Sequence, residues 1–272
     1  MNANIYRKEL KRNRTAFLVW CITVVVLISW GMFFYPVVMN DEIVKQLTTL
    51  FENPFMKGMM AAFGADLEKI ANILGFYATY NGMYFMMLVS MYSMMTASRI
   101  VSKEEHERTA DFLLTKPVTR SEVMAGKVLA WATYMLAINA IMTLFAFIEL
   151  EILKNEQTYS VKAFLIMSCY SFLGTFFFGA LGLFLSLLMK RGRNINGIMI
   201  GIVLGSYFVD AASKITRQTQ AIGFISPFKF VDHDVLSADY GFQWWRLLYL
   251  VGLSAIFISA SFMIYRKKDI LI

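Results

Sequence analysis

The sequence predicts an all-α integral membrane protein with six transmembrane helices. Three observations lead there. Apolar residues make up 58% of the 272-residue chain, above the roughly 45–50% of ordinary soluble domains. Charged residues make up only 17%, against about 25% in such domains. The charges also cluster between long charge-free runs, and so much apolar surface needs a nonaqueous solvent.

A helix rises 1.5 Å per residue and needs about 20 residues to cross roughly 30 Å of hydrocarbon. Charge-free stretches at 16–39, 75–98, 128–148, 163–189 and 247–265 meet that requirement. A sixth, at 194–209, is shorter and reaches crossing length only when extended to 213, which takes in Asp210. The predicted spans are therefore 15–39, 75–98, 128–148, 163–189, 194–213 and 245–265. The first run is too long for the core of a signal peptide and lacks a small-residue cleavage site, so it reads as a retained span.

Charge sets the orientation. Segments 1–14, 99–127, 190–193 and 266–272 carry 17 of the 26 Lys and Arg residues. The alternating segments 40–74, 149–162 and 210–246 carry 9. The Lys/Arg excess marks the cytoplasmic side, which places both termini there, in a cell membrane. Trp244, Trp245 and Tyr265 read as interfacial anchors at the two ends of the last span. The net charge of +7 follows from this orientation and does not call for nucleic acid. Cys21 and Cys169 both fall in spans and read as small buried hydrophobes.

The loop after the second span is the most patterned polar segment. Ser98 to Leu114 reads as a helix with i,i+4 pairs Lys103/Glu107 and Glu104/Arg108, ended by Pro117. Ser121 reads as the cap of a second short helix leading into span three, with Glu122 in its first turn. Such a helical element suits docking to a soluble partner, or serves only as a solvated connector.

Here the residues resemble a known family. Ile100, Glu104, Glu105, Arg108, Thr109, Phe112, Leu113, Leu114, Lys116, Pro117, Val118, Arg120, Gly126 and Lys127 form a pattern similar to that of ABC-2 type transporter permeases. The basic stretch Tyr6-Arg7-Lys8-Glu9-Leu10-Lys11 resembles the family's amphipathic elbow helix, taken here as 1–14. Ser226-Pro227-Phe228 and Arg266-Lys267-Lys268-Asp269-Ile270 resemble two further family features. The resemblance implies a pair of six-helix permeases, either two copies or one copy with a related chain, working with cytoplasmic ATPase subunits. It implies ATPase coupling through Glu104, Glu105, Arg108, Thr109, Phe112, Leu113, Leu114, Pro117 and Arg120 in a cytoplasmic coupling helix. It implies export of a hydrophobic or amphiphilic compound such as a drug, antimicrobial peptide or lipid.

ATP and Mg would then be bound by the partner. A phosphate-binding loop needs G-x-x-x-x-G-K-[ST]. The Gly126-Lys127 pair is followed by Val128 and has Ser121 where the first Gly belongs. The chain is thus expected to bind no cofactor or metal directly and to be no enzyme itself.

Gly197, Gly201 and Gly205 place three glycines on one face of span five, for packing within the chain or for contact with a second permease. Ser171, Thr175, Gly179 and Gly182 make a looser small face on span four. Span two carries a methionine stripe, including Met87 and Met91, with Tyr80, Asn81 and Tyr84 as polar handles. That stripe suits helix packing or an amphiphilic cargo path; without Cys or His beside it, Cu(I) ligation is set aside. The sparse ionisable residues within the spans argue against an ion-driven transporter. The alternative to a pump is a six-span membrane enzyme or sensor scaffold, and no nucleophile–base pair supports the enzyme.

Overall fold

The computed structural model describes residues 3–106, 119–189 and 194–267. Among them five helical stretches are long and apolar enough to cross a membrane: Ala3–Val38, Arg120–Leu153, Val161–Leu188, Ile195–Ser213 and Trp244–Lys267. The chain is a multi-pass, all-helical membrane protein over its described residues.

The first helix, α1, runs unbroken from Ala3 to Phe33. No boundary separates the basic segment 1–14 from the first span, so the expected elbow is continuous with it. Basic residues have high helix propensity and carry the helix past the end of the oily run. Pro36 then sits in the one-turn α2 (Tyr35–Val38).

The segment 40–74 is itself helical. It forms α3 (Asp41–Glu52), α4 (Pro54–Ala62) and α5 (Leu67–Ala71). Each starts on an Asn or Asp whose side-chain oxygen accepts an orphan backbone N–H. Asn40 caps at Glu42 N (3.0 Å), Asn53 at Phe55 N (2.9 Å), and Asp66 at Lys69 N (2.7 Å). Asn72 does the same for the next helix, at Leu74 N (2.9 Å).

The second predicted span is a longer column in three parts: α6 (Ile73–Tyr80), a π-helical turn (Asn81–Phe85) and α7 (Met86–His106). The π turn divides it, which is why it does not figure as one long apolar helix. It is nonetheless the centre of the bundle, with Met86, Val89, Ser90, Ser93, Met94 and Ala97 all buried.

Three long helices complete the bundle around it. α8 (Arg120–Leu153) follows a cap on Thr119, not Ser121. Thr119 and Glu122 form a capping box, each side chain bonding the other's backbone N–H. Among the described residues no separate short helix starts at Ser121, because α8 runs unbroken from Arg120 through the third span. α9 (Val161–Leu188) and α10 (Ile195–Ser213) are capped by Ser160 and Asn194. The segment 214–243 folds into two 3₁₀ pieces, Arg217–Ile225 and Pro227–Phe230, before α11 (Trp244–Lys267).

Packing follows side-chain size. α7 lies chiefly against α9 and also meets α10 and α8, while α1 lies along α8 and α11 along α9. The small face of α9 makes the central contact possible. A Cβ on Gly179 would stand 2.2 Å from the Trp131 ring, and one on Gly182 2.6 Å from the Met94 carbonyl oxygen. Trp131 donates to Ser93 Oγ at 3.3 Å across that contact. The methionines Met86 and Met94 are buried in the same seam, so packing accounts for that part of the stripe.

Candidate functional site

Two polar clusters stand out in an apolar bundle, one at each end of the second column. At the basic end, α1, α7 and α8 are fastened together. Glu9 is 3% exposed and forms an ion pair with Lys103 of α7. Asn13, one turn on, donates to the Glu9 carbonyl at 2.9 Å. Tyr134 of α8 donates to the Leu10 carbonyl, and the Tyr6 and Thr133 hydroxyls lie 3.0 Å apart. Lys127 of α8 is fully buried and donates to the Ile100 carbonyl of α7 at 2.6 Å. Gly126 lets α1 come this close: its missing Cβ would meet Ile5 Cγ2 at 3.0 Å.

This clamp gives structural meaning to residues quoted from the loop motif. Gly126 and Lys127 are the α8 side of a three-helix junction. Arg120 is the first residue of α8, beside the Thr119 cap. Arg108, Thr109, Phe112, Leu113, Leu114 and Pro117 lie outside the described residues, as do the side chains of Glu104 and Glu105. Sequence reasoning did not single out Glu9 or Lys103 as partners, because they are 94 residues apart.

At the other end the π turn carries a buried network. Asn81 is 2% exposed. Its amide donates to Tyr77 Oη at 3.2 Å, and its Oδ1 accepts from Ser171 Oγ at 2.8 Å. His233, from segment 214–243, brings Nε2 to 3.0 Å from the same Oδ1. His233 lies between the last two predicted spans, where no neighbouring pattern marks it. The structure makes it the plug that ties the returning segment to the second column. Burial, with Lys214 and Lys69 nearby, pushes its pKa down from 6.5 to about 3, so the ring is neutral near pH 7.

The Ser-Pro-Phe stretch secures the same segment. Ser226 Oγ donates to the Ser206 carbonyl of α10 at 2.7 Å and accepts from Phe228 N at 3.2 Å. Phe228 then packs on Phe178 and Tyr207, at centroid distances of 4.9 and 5.7 Å.

The five residues expected along a cargo path separate. Tyr80 forms a ladder of tilted rings with Tyr84 and Phe76, at centroid distances of 5.5 and 4.9 Å. The ladder faces α1 at Gly31, where a Cβ would lie 2.3 Å from the Tyr80 ring. Tyr84 is 36% exposed and Met87 partly buried, whereas Met91 and Asn81 are buried. Asn81 belongs to the inner network and not to the tyrosine ladder.

Gly201 and Gly205 have nothing within 4 Å of where a Cβ would be, and Gly197 meets only its own helix cap, Asn194. The glycine face of α10 is thus turned away from the rest of the described residues.

A family model described as "ABC-2 family transporter protein" matches residues 3–270. No curated protein matches the chain.

Proposed function

Because the chain belongs to the ABC-2 family of transporter proteins and is a membrane permease subunit of an ABC transporter, we propose that it exports a hydrophobic or amphiphilic compound on energy from ATP hydrolysed by a separate subunit. The column Ile73–His106 supplies the sixth crossing, and both termini face the cytoplasm. The observation that carries this reading is the clamp of Glu9, Lys103, Lys127 and Tyr134. It binds three helices into one unit through residues that flank the segment 104–120 in the sequence, where the family resemblance puts the ATPase contact. Force received there has a stiff path into α1, α7 and α8.

The cargo reading rests on the Phe76–Tyr80–Tyr84 ladder, whose rings offer apolar faces with hydroxyl tips. The unpartnered Gly197, Gly201 and Gly205 face suits close approach by a second permease, either the same chain or a related one.

The test has two parts. Mild-detergent purification from native membranes should bring down a protein with a P-loop. In the reconstituted complex, Glu104→Lys with Glu105→Lys should leave ATP hydrolysis and insertion intact while transport per ATP falls severalfold. Unchanged ATP-driven transport in that variant would remove the coupling assignment. Exit of cargo from inside-facing vesicles, opposite to the proposed direction, would remove export.

A further inference from the structure

A cleft of about 360 Å³ opens beside the π turn, between the second column, α10 and segment 214–243. Its size lies in the range of small-molecule sites and far above the roughly 30 Å³ share of one water. Its wall is charged, and most of those charges are already matched. Lys69 pairs with Asp234 at 3.1 Å, Lys214 with Asp210 at 2.6 Å, and Arg246 with Asp232 at 3.4 Å.

Two lining groups keep unused capacity, the second oxygen of Asp210 and the ammonium of Lys229. Asp210 is 3% exposed, and its Oδ1 has no hydrogen-bond partner. Lys229 meets no carboxylate among the described residues; its ammonium lies 5.7 Å from the centre of the Phe224 ring. A buried oxygen without a donor has given up its hydration for nothing in return. Native proteins keep few such groups, and each calls for an occupant or a role. A metal ion does not match the site, since no three His, Cys, Asp or Glu are grouped as ligands among the described residues.

We propose that this cleft binds a zwitterion, with Asp210 accepting from its primary ammonium and Lys229 holding its anionic group. The single open carboxylate oxygen fits N–H donation, which strengthens when both partners are charged. A quaternary ammonium has no N–H to give and is excluded. Oδ1 is closed from solvent here, so entry requires a rearrangement at the wall, in which the half-exposed Lys214 on the other carboxylate oxygen gives way to the ligand. The ligand is either the headgroup of an amine-bearing phospholipid or a free molecule of the same chemistry. The site does not depend on the export reading, because binding needs neither ATP nor a partner.

The full chain in phosphatidylglycerol nanodiscs provides the test, read by Trp fluorescence, since Trp245 lies against Arg246 of the cleft at 5.0 Å. Phosphatidylethanolamine and phosphatidylcholine are introduced in separate nanodisc series. Phosphoethanolamine, ethanolamine and inorganic phosphate are titrated as free probes. Saturable binding of phosphatidylethanolamine but not phosphatidylcholine supports the proposal with a lipid source. Binding of phosphoethanolamine at least tenfold tighter than ethanolamine or phosphate supports it with a soluble source. In either case Asp210→Asn and Lys229→Gln should each weaken binding about tenfold. Lys229→Gln decides alone if Asp210→Asn does not fold. No saturable binding in any arm, equal binding of phosphatidylcholine, or binding indifferent to Lys229→Gln overturns it and leaves a cleft that holds water only.

Discussion

The Glu9–Lys103 pair offers the most direct test of the clamp. Replacing Lys103 with Met keeps the stem and removes the charge. The Glu9 side chain, 4% exposed, then keeps its carboxylate away from water with only Asn13 Nδ2, at 3.5 Å, as a side-chain donor. Losing one member of a buried pair typically costs 3–5 kcal/mol. Asn13 softens the loss, so about 3 kcal/mol is expected here. Glu9→Gln strands an ammonium that is 12% exposed and can reach for water along its stem, so about 2 kcal/mol is expected. The double variant has no stranded charge and should cost about 3 kcal/mol in total, since both original partners are gone. The resulting coupling is about 2 kcal/mol, within the range for residues in contact.

Equilibrium unfolding in mixed micelles measures the four corners of that cycle. The charge swap Glu9→Lys with Lys103→Glu should recover at least half of the loss. If the single variants add within about 0.5 kcal/mol, the two residues do not interact. The clamp would then rest on Lys127, Tyr134 and the Tyr6–Thr133 contact.

Three further outcomes follow from the same geometry. Gly179→Ala should destabilise by about 1–3 kcal/mol through overpacking against Trp131 and Ser93, whereas Gly201→Ala should be neutral or slightly stabilising in the monomer, where helix propensity alone acts; equal effects in the unfolding assay would refute the packing account. Gly201→Leu with Gly205→Leu should weaken self-association, seen by crosslinking across dilution in nanodiscs, while leaving monomer unfolding unchanged. His233 binds its proton less readily when folded than its ordinary 6.5, so stability is full above that value and falls as pH drops toward about 3. The loss should approach about 1.4 kcal/mol per pH unit within that window, and His233→Gln should flatten the slope; an unchanged slope would assign the acid sensitivity elsewhere.

How much of this was legible in the sequence differs by element. Oily runs mark where the bilayer is, because charges are costly there. They do not mark where helices end. α1 begins at Ala3 and α8 at Arg120, both well outside the charge-free runs, since Lys, Arg and Glu favour helix as much as Leu does. The Thr119 cap was readable as T-x-x-E ending on Glu122, and so were Asn53-Pro54 and the other caps of segment 40–74. The π turn was not readable, because one extra residue in a charge-free run with apolar residues on every face leaves no trace in its periodicity. The two small-residue faces show a different limit. Both are visible as motifs, but a motif cannot say which neighbour it meets: α9 uses its face inside the chain, and α10 leaves its own open. Asn81 and His233 are 152 residues apart, so no local pattern could join them.

The second column is what connects the two clusters. Lys103 and Asn81 are 22 positions apart in the sequence, roughly 33 Å along a helix, which is about the depth of the hydrocarbon. The intervening helix is the most enclosed in the bundle and packs on small residues of α9, so it can slide or turn but has little room to bend. Its π turn sits where segment 214–243 is pinned through His233. Work delivered at the clamp would therefore act on the Asn81–His233 contact, the neutral hydrogen-bonded joint between the column and segment 214–243, before any of the ion pairs behind it. That ordering has a consequence for mutants: loss of His233 should loosen segment 214–243 without disturbing the clamp, whereas loss of Lys103 should disturb both. Hydrogen exchange of segment 214–243 in the two variants separates these cases, and protection of that segment unchanged in Lys103→Met would show that the column does not carry strain between its ends.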